Sequence, residues 1–247
     1  MKPRALLDKT YALLSKHFGP RNWWPIVKNA RPLYLPEYLT RERTPAEIFE
    51  IAVGAILTQN TAWGNVVLAI DNLKRAKVLS RKGIADTPPD ALAEMVKPSG
   101  YFNQKAKKLK ALNDYIETQL KGRLVSLREY PLGQARESLL SVWGVGKETA
   151  DSILLYGLGM PVFVVDAYTR RIFSRMGAID KDAEYDEVRA YFEKHTDNDI
   201  LLYREFHALI VEQGKDICKN KPRCGLCVLK KLCPSANGDK NPSDETV

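Results

Sequence analysis

No apolar run in this 247-residue chain approaches the ~20 residues that a bilayer-spanning helix needs, and the useful stretch at residues 51–57 is interrupted by Gly54. The first twenty residues carry Lys2, Arg4, Asp8, Lys9 and Lys16 at intervals, which leaves no uninterrupted signal-peptide core. An intracellular place (cytoplasm or nucleoid) and no membrane partner are therefore expected. Cysteine is scarce: four residues, too few for a disulfide scaffold, all between Cys218 and Cys233, as a metal cluster in a reducing compartment would have them. Strand signals are almost missing. Only residues 161–165 read as β, and one five-residue segment without a partner cannot make a sheet. Repeats and low-complexity tracts are missing too, apart from a polar tail at 234–247 whose Ser/Asn/Gly/Asp/Lys content predicts disorder. With 45% hydrophobic and 28% charged residues, extended disorder is excluded elsewhere.

What remains is helical. Leu6, Leu7, Tyr11, Leu14 and Phe18 recur at helical spacing and stop at Gly19-Pro20. Thr44-Pro45-Ala46-Glu47 has the layout of a capping box with proline at the first helical position, so a helix should run from there through Leu57. Its body is apolar on most faces, which marks a buried central helix. Apolar sets at Val66/Val67/Ile70/Leu73, Leu92/Met95, Ala106/Leu109/Leu112/Ile116, Leu139/Leu140, Ile153/Leu154 and Val188/Tyr191/Phe192 predict more, and residues 200–213 close the series. The fold class is all-α, and two helical lobes are plausible at this length. The proline-rich stretch before residue 44 should wrap the body as irregular chain.

The net charge of +8 favours an anionic partner only weakly, since many soluble proteins are basic. Its distribution says more. Lys105, Lys107, Lys108 and Lys110 crowd one helix, and Lys215, Lys219, Lys221, Arg223, Lys230 and Lys231 face the single acid Asp216 around the cysteines.

Residues 139–154 place Gly144-Val145-Gly146 between two apolar helical pairs. Two glycines can take positive φ and admit another backbone, and the next helix starts with N–H groups that lack internal partners, so a phosphate oxygen can be held there. A tight turn without a ligand is the alternative. Together with Val164-Val165-Asp166-Ala-Tyr-Thr-Arg-Arg-Ile172 eighteen residues after Gly146, this segment resembles the helix-hairpin-helix and Gly/Pro-Asp signature of the endonuclease III superfamily of DNA base-excision glycosylases. The resemblance spans roughly Thr44 to Cys233. It implies a helical barrel at 44–160 with the hairpin at 139–154, and a C-terminal lobe at 161–233 carrying a cysteine loop at 218–233. Segment 1–43 would pack on that cluster lobe, and a damaged nucleotide would rotate out of duplex DNA into a cleft between the lobes.

In that resemblance Asp166 matches the catalytic aspartate. A fixed carboxylate near the anomeric carbon can stabilise a sugar cation and position water; the alternative is a helix N-cap and nothing more. Bifunctional members carry a lysine where this chain has Glu148, and Lys147 lies one residue, about 100°, away. A monofunctional enzyme that leaves an abasic site is expected, with a downstream nuclease to process it. The hairpin residues Gly144, Val145, Gly146, Lys147 and Thr149 are expected to contact DNA, with a monovalent cation at the turn.

Cys218-x5-Cys224-x2-Cys227-x5-Cys233 can enclose a zinc ion or a cubane, and spacing alone does not choose. Pro222-Arg223-Cys224-Gly225 and the last interval resemble the superfamily's 4Fe-4S loop, although the first interval there is usually one residue longer. The cluster would be structural and would display Lys219, Lys221 and Arg223 to a phosphate backbone.

Asn22-Trp23-Trp24-Pro25 and Leu57-Thr58-Gln59-Asn60-Thr61-Ala62-Trp63, with the hairpin and the aspartate segment, resemble the 3-methyladenine DNA glycosylase III subgroup. The resemblance implies Trp24, Pro25 and Trp63 as walls of a base pocket, with Trp23 assisting; taken alone, tryptophans near the N-terminus are more often simple packing residues. Gln59 would fill the gap left by the flipped nucleotide, or cap its helix. Lys215 is placed near the pocket, where burial would lower its pKa enough for a carbamate, or else contacts phosphate. A monomer acting on alkylated purines in double-stranded DNA is the leading reading. A glycosylase for damaged or mismatched pyrimidines and a non-catalytic helix-hairpin-helix DNA-binding protein are the alternatives.

Overall fold

A computed structural model describes residues 1–236 and Gly238. In chain order the elements are α1 (Pro3–Phe18), β1 (Ile26–Lys28), β2 (Arg31–Leu33), α2 (Glu37–Thr40), α3 (Pro45–Leu57), α4 (Trp63–Arg75), α5 (Arg81–Asp86) and α6 (Pro89–Val96). They continue as α7 (Phe102–Gln119), α8 (Leu132–Leu140), α9 (Lys147–Ser152), α10 (Ala167–Arg175), α11 (Tyr185–His195) and α12 (Ile200–Asp216). Of the polar tail, Pro234–Ala236 forms a short 3-10 turn, while residue 237 and residues 239–247 lie outside the described part. No helix is long and apolar enough to cross a membrane among the described residues.

The chain forms two compact units, Met1–Arg21 with the chain from Pro161 onward, and Asn22–Met160. The expected N-terminal segment 1–43 is thus divided. Helix α1 packs on α11 and α12, whereas residues from Asn22 onward belong to the other unit. The physical reason is a set of buried bonds: Val27 N–H donates to Glu50 at 2.8 Å, Glu50 pairs with Lys74 at 2.6 Å, and the Arg43 guanidinium donates to the Trp24 carbonyl at 2.7 Å.

In the Asn22–Met160 unit, α3 starts as its sequence requires. Thr44 Oγ1 accepts the Glu47 N–H, Glu47 accepts the Thr44 N–H, and Pro45 sits where a missing N–H costs nothing. Every residue from Ile48 to Leu57 is buried, and α3 packs against α4, α7 and α9. The stretch expected to be irregular contains the only strands among the described residues. β1 and β2 pair antiparallel around Asn29-Ala30, both at positive φ (51° and 56°), and the Ala30 N–H is held by Asp71 at 2.8 Å.

In the other unit, Phe163, Phe173, Phe192 and Phe206 form the aromatic core, with Phe163 stacked on Phe192 at 4.0 Å. The strand-like residues 161–165 are extended, and the described neighbours offer them no ladder. Side chains satisfy them instead: Phe163 N–H donates to Glu193 at 3.0 Å and Val165 N–H to the Tyr185 hydroxyl at 3.3 Å.

The lysine-rich helix α7 is not a free cationic face. Lys105 is 2% exposed, and its Nζ donates to the carbonyls of Leu57 (2.8 Å) and Ser99 (2.6 Å). Burial lowers its pKa to about 8, with a smaller push from Lys108. Lys105→Met keeps the aliphatic volume but orphans two buried carbonyls, each worth about 1–3 kcal/mol. Urea denaturation should show a loss of about 2–4 kcal/mol; a loss below 0.5 kcal/mol on the order of a surface change would contradict the pin.

Candidate active site

The hairpin is built by α8 and α9, clamped by a bidentate ion pair in which Arg136 donates to a fully buried Asp151 at 2.6 and 3.2 Å. Helix α9 continues in π form through Ile153–Leu158. Only one of the two glycines needs positive φ. Gly144 has φ 86°, and a Cβ there would lie 2.4 Å from Cγ of Lys108. Gly146 has φ −92°, which any residue adopts, and a Cβ there would meet nothing within 4 Å. Gly146, Lys147 and Glu148 are exposed at the first turn of α9, and Trp143 beside them is 56% exposed. Val145 and Thr149 do not share that surface. Both are buried: Val145 N–H donates to Val142 O at 3.0 Å, and Thr149 Oγ1 accepts from Gln59.

Gln59 neither caps α3 nor projects freely. Thr58 closes that helix through its own hydroxyl on Gly54 O, while Gln59 Nε2 reaches the hairpin at Gly144 O (3.0 Å) and Thr149 Oγ1 (2.9 Å), and Lys108 Nζ donates to Gln59 Oε1. To enter a duplex, Gln59 would have to leave all three partners.

The tryptophans of the same unit form one cluster. Ring centroids lie 5.4 Å apart for Trp23 and Trp24, 4.8 Å for Trp23 and Trp63, and 5.2 Å for Trp24 and Trp63. Tyr34 joins at 5.9 Å from Trp23 and Tyr156 at 5.5 Å from Trp24; neither tyrosine carried a signal in the sequence, since both lie in unpatterned apolar surroundings. Trp24 and Pro25 are buried, so only Trp23, Trp63 and the 40% exposed Tyr34 offer ring surface to a ligand. Trp24 is the backing: its indole lies so close to Gly54 that a Cβ there would be 3.1 Å from its ring. The indole N–H groups of Trp24 and Trp63 are buried without an acceptor among the described residues.

In the other unit Asp166 caps α10. Its Oδ1 accepts the Thr169 N–H (2.7 Å) and hydroxyl (2.8 Å), and its Oδ2 lies 3.7 Å from Nε2 of His207 on α12. Asp166 as a residue is 8% exposed. Burial pushes its pKa up, but His207 and the two Thr169 bonds outweigh burial and hold it below the ordinary carboxylate value. The N-cap geometry and a role in chemistry are therefore compatible, because capping occupies one oxygen only. His207 was missed in the sequence: one imidazole in an apolar helix carries no spacing signal.

The cysteine loop is fastened to α10. Arg171 donates to Cys218 O (2.8 Å) and Gly214 O (3.0 Å), and Arg175 to Lys219 O (2.7 Å), Asn220 O (3.0 Å) and Cys218 Sγ (3.3 Å). Gln213 Nε2 donates to Cys227 Sγ at 3.1 Å. All four cysteines are free of disulfides and partly buried; burial, together with the other thiols, pushes Cys227 and Cys233 up. Among the described residues no three metal-ligating side chains stand close enough to hold a single ion. Tyr168, Arg171, Gly214, Lys215, Lys219 and Lys221 line an open groove of about 620 Å³, and Arg223 is exposed nearby in sequence. Lys215 is not buried: its side chain is 47% exposed and paired with Glu212 at 3.3 Å, which removes the desolvation that a carbamate would require.

The HhH-GPD superfamily of base excision DNA repair proteins matches residues 53–197. A Methanocaldococcus jannaschii protein named as a candidate DNA repair glycosylase is 42% identical over 231 residues, 93% of this chain and 96% of its own. Endonuclease III of Sulfolobus acidocaldarius is 26% identical over 75% of this chain and 81% of its own. Among solved structures, the Helicobacter pylori 3-methyladenine DNA glycosylase bound to 1,N6-ethenoadenine superposes with a TM-score of 0.67 and 32% identity, covering 87% of this chain and 98% of that one. Endonuclease III trapped on DNA superposes with a TM-score of 0.74 at 19% identity, covering 96% and 99%, a likeness of fold.

The two hairpin glycines should separate experimentally. Gly144→Ala meets Lys108 and an unfavourable φ, and should cost about 1–2 kcal/mol in thermal unfolding. Gly146→Ala should melt like the parent yet bind duplex DNA about tenfold more weakly by anisotropy, a cost of about 1.4 kcal/mol, because its methyl occupies the space of an approaching phosphate. Unchanged DNA affinity in Gly146→Ala would remove the hairpin as a backbone contact.

Proposed function

Because the chain belongs to the HhH-GPD superfamily of base excision DNA repair proteins, and is a DNA glycosylase of that pathway, we propose that it is monofunctional and excises an alkylated purine, with 3-methyladenine the first base to test. The observation that carries the substrate class is the aromatic cluster. Trp23, Trp63 and Tyr34 offer accessible rings on a backing of Trp24 and Tyr156. A purine nucleotide alkylated at a ring nitrogen such as N3 is a cation, and stacking on indole adds about 0.5–2 kcal/mol of cation–π attraction to apolar burial. Two buried indole donors lacking an acceptor among the described residues would each cost about 1–3 kcal/mol, an expense that native folds concentrate at functional sites. The likeness to a solved 3-methyladenine DNA glycosylase at 32% identity supports the same reading.

In the proposed reaction the duplex is held by its backbone at the hairpin and the damaged nucleotide leaves the stack. The C1′–N bond breaks with its electron pair going to the base, which departs neutral. The sugar is left as a cation. The carboxylate of Asp166, kept ionised by Thr169 and His207, stabilises that charge, and water adds to C1′ and loses a proton to give the abasic site. No amine stands at the hairpin position occupied by Glu148, so no Schiff base is expected; Lys147 is on the exposed first turn of α9.

The all-sulfur donor set, free of disulfides and with Arg175 and Gln213 N–H groups directed at two sulfurs, fits a thiolate-ligated iron-sulfur cluster better than a mixed-ligand ion. Cys218, Cys224, Cys227 and Cys233 would hold it. When bound, it would tie the loop into one rigid turn that presents Lys219, Lys221 and Arg223 to phosphate.

Incubation with duplex DNA carrying 3-methyladenine should release the free base, and Asp166→Asn should lose on the order of 10²–10⁴-fold in single-turnover rate while still binding DNA. Borohydride should trap no protein–DNA adduct. Base release by Asp166→Asn at the parent rate, or a trapped Lys147 adduct, would contradict the mechanism. Purified protein should also contain iron and acid-labile sulfide in equal amounts with broad visible absorbance; stoichiometric zinc without visible colour would overturn the cluster.

A further inference from the structure

Asp166 must be both ionised and aimed, and the groups that hold its two oxygens are unlike each other. Oδ1 is fixed by Thr169, through the N–H at 2.7 Å and the hydroxyl at 2.8 Å, within its own helix turn. Those bonds converge on one atom, so they anchor the carboxylate without fixing where Oδ2 points. Across from Oδ2, at 3.7 Å, stands Nε2 of His207, on α12, which packs against α10. Both side chains are about nine-tenths buried. We infer that His207 is a positioning residue for Asp166, its Nε2 edge orienting Oδ2. The inference rests on the reading of Asp166 as the group that stabilises the sugar cation.

Three observations support it. His207 sits in a stretch of α12 whose neighbours Phe206, Ala208, Leu209 and Ile210 are all buried, where a polar ring is costly unless it faces a polar group. At 3.7 Å the contact is too long for a hydrogen bond in the free protein but suits an electrostatic contact that tightens as substrate is bound. The residue type also fits the task. A lysine or arginine there would be a permanent cation that binds the carboxylate as a closed ion pair and opposes the charge forming on the sugar. An imidazole N–H orients the carboxylate through a dipole and carries a full charge only when protonated.

The test is single-turnover excision from an alkylated duplex, with affinity for an abasic-site duplex measured in parallel, for His207→Gln, His207→Asn and His207→Phe. A glutamine amide nitrogen can occupy the place of Nε2, whereas an asparagine amide reaches only the place of Nδ1. The expected result is a rate within about threefold of the parent for His207→Gln, and on the order of 10–100-fold slower for His207→Asn and His207→Phe, by analogy with other orienting partners. Affinity for abasic DNA should change by less than about twofold in all three. If His207→Phe does not fold, the Gln and Asn pair decides. Equal rates for Gln and Asn, or a loss of affinity that accounts for the loss of rate, would overturn the inference. Parental activity in Asp166→Asn would instead overturn the reading beneath it, so the two failures are distinguishable.

Discussion

A carboxyl group buried as deeply as that of Asp166 is ordinarily driven toward its neutral, protonated form, because removing a charge from water costs more than most surroundings return. Here the balance goes the other way. A backbone N–H and a hydroxyl from Thr169 converge on one oxygen, an imidazole faces the other, and the pKa falls below the ordinary value. A buried, ionised carboxylate is what a reaction through a sugar cation needs, since the low-dielectric surroundings strengthen its field at the reacting carbon. In the proposed reaction capping and catalysis would draw on one geometry, since the helix start satisfies Oδ1 and leaves Oδ2 facing His207.

The remaining elements supply position. In the Asn22–Met160 unit, Gln59 ties the end of α3 to the hairpin through Gly144 and Thr149, Lys105 pins the same end to Ser99, and Lys108 reaches Gln59 while its stem covers Gly144. These bonds tie the hairpin to the buried helix behind it. The Trp-Trp-Pro segment is fixed in the same manner, by Arg43 on the Trp24 carbonyl and by Glu50 and Lys74 at Val27. In the other unit Arg171 and Arg175 carry the cysteine loop on the helix that Asp166 caps, so the acid and the basic groove share one support.

Helices α1, α3, α4, α6, α7, α11 and α12 were legible because apolar spacing and punctuation agree: Gly19 ends α1 at φ 67°, and Thr44-Pro45-Glu47 starts α3. The hairpin of β1 and β2 was not, because Ala30 holds a left-handed conformation that its own chemistry disfavours and that Asp71, forty-one residues away, imposes. Residues 161–165 read as a strand because three of the five are valines, yet side chains rather than a ladder hold the N–H groups of Phe163 and Val165. In the site, the aspartate, the two glycines and the cysteines were visible as residue types at fixed spacing. Invisible were the roles set by burial. Trp24 and Pro25 lie inside, Thr149 faces Gln59, Lys215 stays in solvent, and His207 emerges only when two distant helices meet.

The role proposed for Asp166 is electrostatic, and a charged mimic of the reacting sugar probes it without any chemical step. Duplex DNA with a pyrrolidine abasic analogue, cationic at neutral pH, can be compared in affinity with its uncharged tetrahydrofuran counterpart. The parent protein should bind the cationic duplex clearly more tightly, and Asp166→Asn should lose that preference. Equal affinity of the parent for both duplexes would contradict that role.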